Sequence, residues 1–280
     1  MRRSVFVLMA LALAAATSAQ PGGAPADDEP TDDDVTAEAL QALTYSRCED
    51  ALNMLIDRER SRDTLSREHR QLKAEAFTCL GSYKTALAIY SNLLKEDANN
   101  PLYLYRRARL HGMLGQWKKA HGDCARLTRL RPDDSAHCKP CGEYALNAQK
   151  YKEAVALLRR RLAAHEQDTE ARYALALAYR GQKNVTQALL LINECLAANP
   201  EEGKYYAARA QMYEQTEALR FAAADYHTYL KKYPNDHNTW LQYAHILRKL
   251  GRKTEACKAL EQSEMHGNLD AGKVRYRYCR

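Results

Sequence analysis

The residues best suited to chemistry read HCKPCG, from His137 to Gly142. Cys138 and Cys141 have the Cys-x-x-Cys spacing of thiol–disulfide active sites, in which the first thiol lies exposed at the N-terminus of a helix. The same pair is half of a zinc site, but the sequence has no second Cys-x-x-Cys and no His-x-x-x-His to complete it. Which chemistry applies depends on the element that holds the motif.

No other segment has the residue pattern of a catalytic site. The sequence has no glycine-rich phosphate loop, no His-Glu-x-x-His and no Gly-x-Ser-x-Gly. Its nine histidines are scattered along the chain. We therefore expect a protein that is not an enzyme and binds no cofactor, metal or nucleic acid.

The N-terminus has the pattern of a secretory signal peptide over residues 1–19. Two arginines precede an apolar run at residues 5–16, and the small residues Thr17 and Ala19 suit signal peptidase. The run is short for a transmembrane helix, although an uncleaved anchor is the alternative. We expect a mature protein of the secretory pathway that does not insert into the membrane.

The next segment, residues 20–38, is rich in Pro, Gly and Asp and lacks apolar periodicity, which predicts a disordered acidic arm. The arm contains seven carboxylates, so the whole chain's net charge of +7 becomes +12 for residues 39–280 once the arm and the two leader arginines are set aside. A basic body favours acidic partners, and solvated surface charge is the alternative.

The body of the chain repeats every 34 residues, in a composition typical of helices. Alanine recurs at this interval, and a small residue lies twelve positions before each alanine. The alanines are Ala86, Ala120, Ala154, Ala188, Ala222 and Ala256, and the earlier residues are Ala74, Ala108, Gly142, Ala176, Ala210 and Ala244. This period predicts antiparallel helix pairs in which small residues let the backbones approach. One pair cannot bury its apolar face alone, so the pairs should stack into a solenoid.

This pattern resembles the tetratricopeptide repeat family. In GQWKKA, Gly115, Trp117 and Ala120 match the family's turn glycine, aromatic and small positions. Tyr206 and Trp240 match the family's first aromatic position, and Pro132, Pro200 and Pro234 match its terminal proline. The resemblance implies an all-α fold, a right-handed superhelical solenoid of about six to seven helix pairs.

The predicted units follow the register of the alanines. Six units cover residues 67–263, with bounds at 67–100, 101–134, 135–168, 169–202, 203–236 and 237–263. Residues 39–66 form a degenerate unit in which Ala51 lies one residue out of phase. Residues 264–280 form a C-terminal cap or a frayed tail.

In this register Cys138 and Cys141 occupy core positions of the first helix of their unit. The second helix of one unit runs beside the first helix of the next, so Cys48 faces Cys79, and Cys124 faces both cysteines of the motif. We predict one disulfide between Cys48 and Cys79 and another from Cys124 to Cys138 or Cys141. Cys195 and Cys257 are predicted to be reduced core residues, and Cys279 has no assignment.

The resemblance implies a concave groove that binds an extended or helical peptide, lined by positions 5, 9 and 12 of each unit. The groove residues on this register are Tyr105, Arg109, Lys139, Glu143, Tyr173, Arg180, Gln211, His245 and Arg248. Arg pairs with carboxylates and Tyr buries area at low entropic cost. The family's carboxylate clamp for chaperone tails is not supported, because its positions hold Gln71, Glu75, Tyr105 and Arg109.

Among relatives, a secreted array with cysteines is similar to the tetratricopeptide portion of the endoplasmic-reticulum co-chaperone that carries a J domain, although this sequence has no His-Pro-Asp. That similarity implies binding of peptide segments, unfolded clients or a heat-shock ATPase chaperone system in the endoplasmic-reticulum lumen. The alternatives are a bacterial periplasmic assembly scaffold and a thiol–disulfide oxidoreductase using Cys138 and Cys141. Asn184 begins an Asn-Val-Thr glycosylation sequon in a turn.

Overall fold

The computed structural model describes residues 32–61 and 66–279. The predicted signal peptide, residues 1–19, and residues 20–31 of the predicted arm lie outside the described residues. Those described form fifteen α-helices and no strand, in agreement with the predicted all-α solenoid. None of these helices is both long and apolar enough to cross a bilayer.

The helices form seven consecutive antiparallel pairs followed by a single helix. Their bounds are α1 Asp32–Thr44, α2 Cys48–Ser61, α3 Arg67–Cys79, α4 Tyr83–Glu96, α5 Pro101–Met113, α6 Trp117–Leu130, α7 Cys138–Asn147, α8 Tyr151–Ala164, α9 Thr169–Gly181, α10 Val185–Ala198, α11 Gly203–Gln215, α12 Leu219–Lys232, α13 His237–Lys249, α14 Lys253–Met265 and α15 Leu269–Tyr278. Each second helix also packs against the first helix of the next pair, which is the stacking that makes a solenoid.

The small residues lie where the helices cross. All the alanines of the two spaced sets have no exposed surface, and Gly142 is buried. Four residues after each alanine of the second helices lies a buried side chain that fills the neighbouring space, namely Tyr90, Cys124, Leu158, Ile192, Tyr226 and Leu260. In the third unit this position must be glycine, because a Cβ added to Gly142 would lie 2.6 Å from Leu158 Cγ.

The turn between the two helices of each unit requires a left-handed residue at position 15, counted from the first residue of the unit. Gly81, Gly115 and Gly251 take positive φ there, as glycine does most readily. Units without this glycine place Gln149, Lys183 and Glu217 in the same conformation. The turn geometry is therefore kept in every unit even where the family's glycine is absent.

The N-terminal boundary of the repeats was predicted wrongly. Residues 32–38, assigned to the disordered arm, form the first half of α1. Ala39 and Ala51 are twelve residues apart and completely buried, and Ser46 takes the positive φ of position 15. The degenerate unit that precedes the six others therefore begins at residue 32, and its pair of helices has the same internal spacing as the others.

The third unit starts its first helix late, as its proline predicts. Helix α7 has 10 residues, whereas α5 and α9 have 13. Pro140 lies in the first turn of α7, where its missing N–H costs no helical hydrogen bond. The delayed start leaves His137 buried at the N-cap position, with no side-chain hydrogen bond to the helix.

The C-terminal segment is a helix that caps the last pair. Helix α15 buries Ala271 against α14, and Arg275 Nε donates to Glu264 Oε2 at 2.8 Å. A disulfide joins Cys257 to Cys279 with a Cα–Cα distance of 5.8 Å. The prediction that Cys257 is reduced is therefore wrong, because the helix brings Cys279 back onto α14.

Two buried ion pairs join the helices within units two and five. Arg209 donates from Nε and Nη2 to Asp225 at 2.8 and 2.9 Å, and Arg107 makes the same bidentate contact with Asp123 at 2.8 and 2.6 Å. Both pairs occupy positions 7 and 23 of their units. Because Asp225 and Asp123 are almost fully buried, each carboxylate depends on its arginine for compensation of its charge.

We expect Asp225→Ala to lower the free energy of unfolding by about 3 kcal/mol, since it leaves a largely buried guanidinium without its carboxylate. Urea unfolding followed by circular dichroism measures this loss. Glu255→Ala removes the exposed partner of Arg252 and serves as the control, with no expected change in the midpoint. Equal effects of the two substitutions would show that the buried pair carries no special stability.

Candidate peptide-binding groove

The first helices of the units form the inner wall of the solenoid. Helices α1 and α3, α7 and α9, and α9 and α11 contact each other directly across unit boundaries. No two second helices of the described residues contact each other to the same extent. Closer spacing of one layer of helices makes that layer the concave side, so the groove lies on the face predicted from the register.

The C-terminal half of this wall contains a cleft of about 890 Å³. Its lining comes from α7, α9, α11 and α13, from the turns after α7 and α9, and from Tyr151 at the start of α8. It includes Leu146, Leu177, Arg180, Gln211, Glu214 and Gln242. The Arg180 guanidinium donates to the side-chain carbonyl of Gln211, so two predicted groove residues from neighbouring units lie together. Glu214 accepts a hydrogen bond from the Tyr226 hydroxyl at 3.2 Å, which fixes its carboxylate in the cleft wall.

The N-terminal half contains a smaller cleft of about 210 Å³. Arg106 and Arg109 line it with the apolar side chains of Leu43 and Met113. Arg106 pairs with Glu75 at 3.2 Å. The guanidinium of Arg109 lies over the ring of Tyr105, 6.0 Å from the centroid. This end of the groove therefore combines a guanidinium with apolar surface, a combination suited to an acidic, partly apolar ligand.

Between the clefts, a lysine of α7 pairs with the aspartate that caps the N-terminus of α9. Lys139 Nζ lies 3.6 Å from Asp168 Oδ1. Burial would raise the pKa of Asp168, but the N–H of Ala171 and the guanidinium of Arg161, with Lys139, outweigh it, and the pKa lies below its ordinary value. Asp168 is therefore ionised and holds Lys139 against the wall.

Two other predicted residues lie in this middle segment, Glu143 half-buried and Tyr173 packed against side chains of the next unit. The pKa of Glu143 is raised chiefly by burial. The Tyr173 ring lies 5.3 Å from the ring of Tyr205, and the ammonium of Lys204 lies 5.3 Å from the Tyr173 centroid. These contacts immobilise the wall before any ligand arrives, which lowers the entropic cost of binding.

At the last unit the groove meets the cap helix. His245 is exposed, and its Nδ1 lies 3.5 Å from Arg248 Nη1. The Arg248 guanidinium stacks on the Tyr278 ring of α15 at 4.7 Å from the centroid. The structure therefore places Arg248 against the cap helix, apart from the two clefts.

Sequence reasoning missed position 6 of the units as a groove position. Arg106 and Gln242 both occupy it, and both line a cleft. Leu146, Leu177 and Glu214 lie at positions 9 or 12 and follow the predicted register. The signal that would have found Arg106 and Gln242 is their helical spacing of three from positions 9.

The cysteines pair between neighbouring units. The structure joins Cys48 to Cys79 and Cys124 to Cys141, with Cα–Cα distances of 6.0 and 5.5 Å. Of the two alternatives for Cys124, the structure has Cys141. Each bridge joins the second helix of one pair to the first helix of the next pair, across the interface between stacked units.

The remaining thiols are enclosed. Cys138 has no exposed surface, and Arg160 Nε donates to its Sγ at 3.0 Å. Burial raises the pKa of Cys138 despite this arginine, and burial raises the pKa of Cys195 to about 11. Cys138 and Cys141 are thus not a redox pair in this structure, since one is bonded to Cys124 and the other is a buried neutral thiol.

A metal site and the glycosylation sequon are the two remaining candidate sites. Among these residues no group of three or more His, Cys, Asp and Glu side chains is arranged to hold a metal ion. Asn184 is exposed at the N-cap of α10, and its side-chain carbonyl accepts from the N–H of Gln187 at 3.3 Å. Glycosylation of Asn184 stays a prediction.

Comparison with known proteins gives one family match and one curated relative. The tetratricopeptide repeat profile matches residues 142–203. Cellulose synthase operon protein C of Pseudomonas fluorescens (strain SBW25) is 25% identical over 197 residues, which are 70% of this chain and 14% of that protein. The chain therefore spans a small part of that relative's length.

Several solved structures share the fold. A tetratricopeptide repeat protein from Parabacteroides merdae ATCC 43184 superposes with a TM-score of 0.62 at 19% identity, covering 88% of this chain and 98% of its own. The type IV pilus biogenesis factor PilW gives 0.62 at 18% identity, with 74% and 97% covered. MamA from Desulfovibrio magneticus RS-1 gives 0.54 at 23% identity, with 59% and 93% covered. The seven helix pairs have the tetratricopeptide repeat fold, and residues 142–203 match the sequence profile of that family.

Proposed function

We propose that this chain is a non-enzymatic scaffold that holds a polypeptide segment of a partner protein along its concave groove, in an extracytoplasmic compartment. The observation that carries the proposal is the cleft of about 890 Å³, walled by first helices of four consecutive units. Its lining combines the apolar Leu146 and Leu177 with half-buried polar groups such as Arg180, Gln211 and Gln242, and such a surface can hold both side chains and peptide groups of a bound segment.

The chemistry of the groove favours an extended segment with at least one acidic residue. Gln211 and Gln242 offer carboxamides that both donate and accept, which suits the peptide groups of an extended chain. Arg180 and Arg109 offer guanidinium groups to carboxylates at separate points along the wall. The basic body of the chain, +12 over residues 39–280, would steer an acidic partner toward it.

The three disulfides support an oxidising compartment, because thiols are kept reduced in the cytosol. The solved structures of similar fold include bacterial proteins and a pilus biogenesis factor, and the curated relative is bacterial. These likenesses favour the periplasmic assembly scaffold over the endoplasmic-reticulum co-chaperone with its clients and heat-shock ATPase partner. We therefore propose the periplasm of a bacterium as the compartment and a subunit of an assembled envelope structure as the class of partner.

Replacing Arg180 by Glu should weaken binding of the partner segment about tenfold, since one carboxylate contact becomes a repulsion. A photo-crosslinking residue at Gln211 identifies the segment, and calorimetry then measures its affinity for the native chain and the variant. Arg180→Lys keeps the charge and is the control for charge alone. Crosslinks of equal yield from the convex position Leu190, or an unchanged affinity in Arg180→Glu, would contradict the groove as the binding site.

The thiol–disulfide oxidoreductase predicts a different outcome from the scaffold, and the cysteine geometry favours the scaffold. We expect Cys138 and Cys195 to resist alkylation in the folded protein at pH 8, because both are buried with raised pKa, and to react fully in denaturant. Peptide mapping by mass spectrometry should recover the Cys124–Cys141 bridge. Rapid labelling of Cys138 in the folded protein, or a Cys138–Cys141 bridge, would instead support the oxidoreductase.

A further inference from the structure

The three disulfides differ in how far the protein encloses them. Cys124 and Cys141 have no exposed surface, and the bridge to the cap helix is half-buried. In the Cys48–Cys79 bridge, Cys48 is buried, with 6% of its surface exposed, whereas Cys79 is exposed. Because an incoming thiolate must reach one sulfur of a disulfide, access decides which bridge can exchange. This bridge is therefore open to attack from one side, at Cys79.

Cys79 also belongs to the wall of the N-terminal cleft, beside Arg106 and Arg109. Arg106 is paired with Glu75, whereas Arg109 forms no ion pair with a described residue. An unpaired guanidinium therefore attracts negatively charged groups to the place where Cys79 can be reached. At about 210 Å³ the cleft is smaller than pockets for drug-sized ligands, which are about 300–1,000 Å³. Its size suits one side chain of a peptide.

The two bridged cysteines lie at opposite poles of their helices. Cys48 is the first residue of α2, and Cys79 is the last residue of α3. The N-terminus of a helix stabilises a thiolate, and the C-terminus destabilises one. Two carboxylates follow Cys48 in the first turn, those of Glu49 and Asp50, and Arg47 lies 3.7 Å from the latter. Both helix polarity and access thus make Cys79 the sulfur that is attacked and Cys48 the sulfur that leaves.

We propose that the Cys48–Cys79 disulfide exchanges with a cysteine thiol of an acidic peptide held in the N-terminal cleft. The peptide thiolate attacks Cys79 Sγ, so a peptide–Cys79 disulfide forms and the Cys48–Cys79 bond breaks. The bonding electrons leave on Cys48 Sγ, which takes up the proton that the peptide thiol lost. The new thiol can donate to the carbonyl oxygen of Ser46, 3.5 Å from Cys48 Sγ. One disulfide replaces another without an oxidant or reductant, and return attack by Cys48 releases the peptide.

This inference rests on the proposed function only for the source of the peptide, a segment held in the groove. The exchange takes place in a different cleft from the one that contains Arg180 and Gln211. It is tested with glutathione, an acidic thiol peptide, in the absence of any partner protein. Failure of the exchange would leave crosslinking at Gln211 unaffected, and failure of that crosslinking would leave the reaction with glutathione unaffected.

The test is a timed reaction of the full chain with excess reduced glutathione under nitrogen, followed by alkylation and peptide mapping. Two glutathione molecules open one bridge, since the first forms the glutathione–Cys79 disulfide and the second reduces it. We expect the Cys48–Cys79 bridge to open more than about tenfold faster than Cys124–Cys141, whose sulfurs are enclosed. The trapped intermediate should have glutathione on Cys79 and an alkyl group on Cys48.

Two comparisons separate the charged cleft from simple exposure. Cysteamine is a cationic thiol, and it should open the bridge about tenfold more slowly than glutathione at low salt, with the difference lost at 1 M salt. Arg109→Glu should remove this preference, whereas Lys231→Glu, an equal charge change at an exposed position on α12, should react as the native chain does. A Cys48–Cys79 bridge that opens no faster than the enclosed one, glutathione attached to Cys48, or equal rates for the two thiols at low salt would each overturn the proposal.

Discussion

The close crossing of helices at two small residues per unit is the constraint on which the rest of the structure depends. Ala176 and Ala188 illustrate it in the fourth unit, since both are completely buried and twelve residues apart. With only a methyl group at each crossing, the helices approach until the larger side chains interlock. The pairs then stack in a fixed phase, and bulky side chains such as Ile192 are completely buried in the core that the units share. Curvature and groove both follow from this repeated contact.

The fixed register of the stacked units also sets the arrangement of side chains along the groove. Positions 6, 9 and 12 are spaced three residues apart, so they lie on the same side of the first helix and recur on the inner wall at every unit. Arg180 can reach Gln211 only because two successive units are held in register. The disulfides act on the same interfaces, where Cys124 and Cys141 join units two and three. Stability and binding surface thus come from one periodic arrangement, and partner chemistry is set by the side chains that vary along it.

The sequence predicts the features that depend on the 34-residue periodicity and misses features at the two ends of the repeat array. The six spaced alanines predict the pairs, their register, and the cysteines that face each other. Helix α1 was mistaken for an arm because its first residues are acidic, a composition that favours disorder but also favours the start of a helix through its dipole. The sequence predicts only a cap or tail for α15, because the start of this helix is shifted from the 34-residue spacing, and the pairing of Cys257 with Cys279 is therefore not predicted. Position 6 was missed in the groove because exposure depends on the packing of neighbouring units, which spacing alone does not specify.

The most direct test of the crossing constraint is to enlarge one of its small residues. Ala188→Leu adds a larger apolar side chain at a completely buried crossing, while Ala156→Leu adds it at an exposed position on α8. Chemical denaturation compares their free energies of unfolding. Close crossing predicts a loss of about 2 kcal/mol for Ala188→Leu from overpacking and a change within about 0.5 kcal/mol for Ala156→Leu. An Ala188→Leu variant as stable as the native chain would contradict the account, since it would show that the helices have room to spare where the structure holds them tightest.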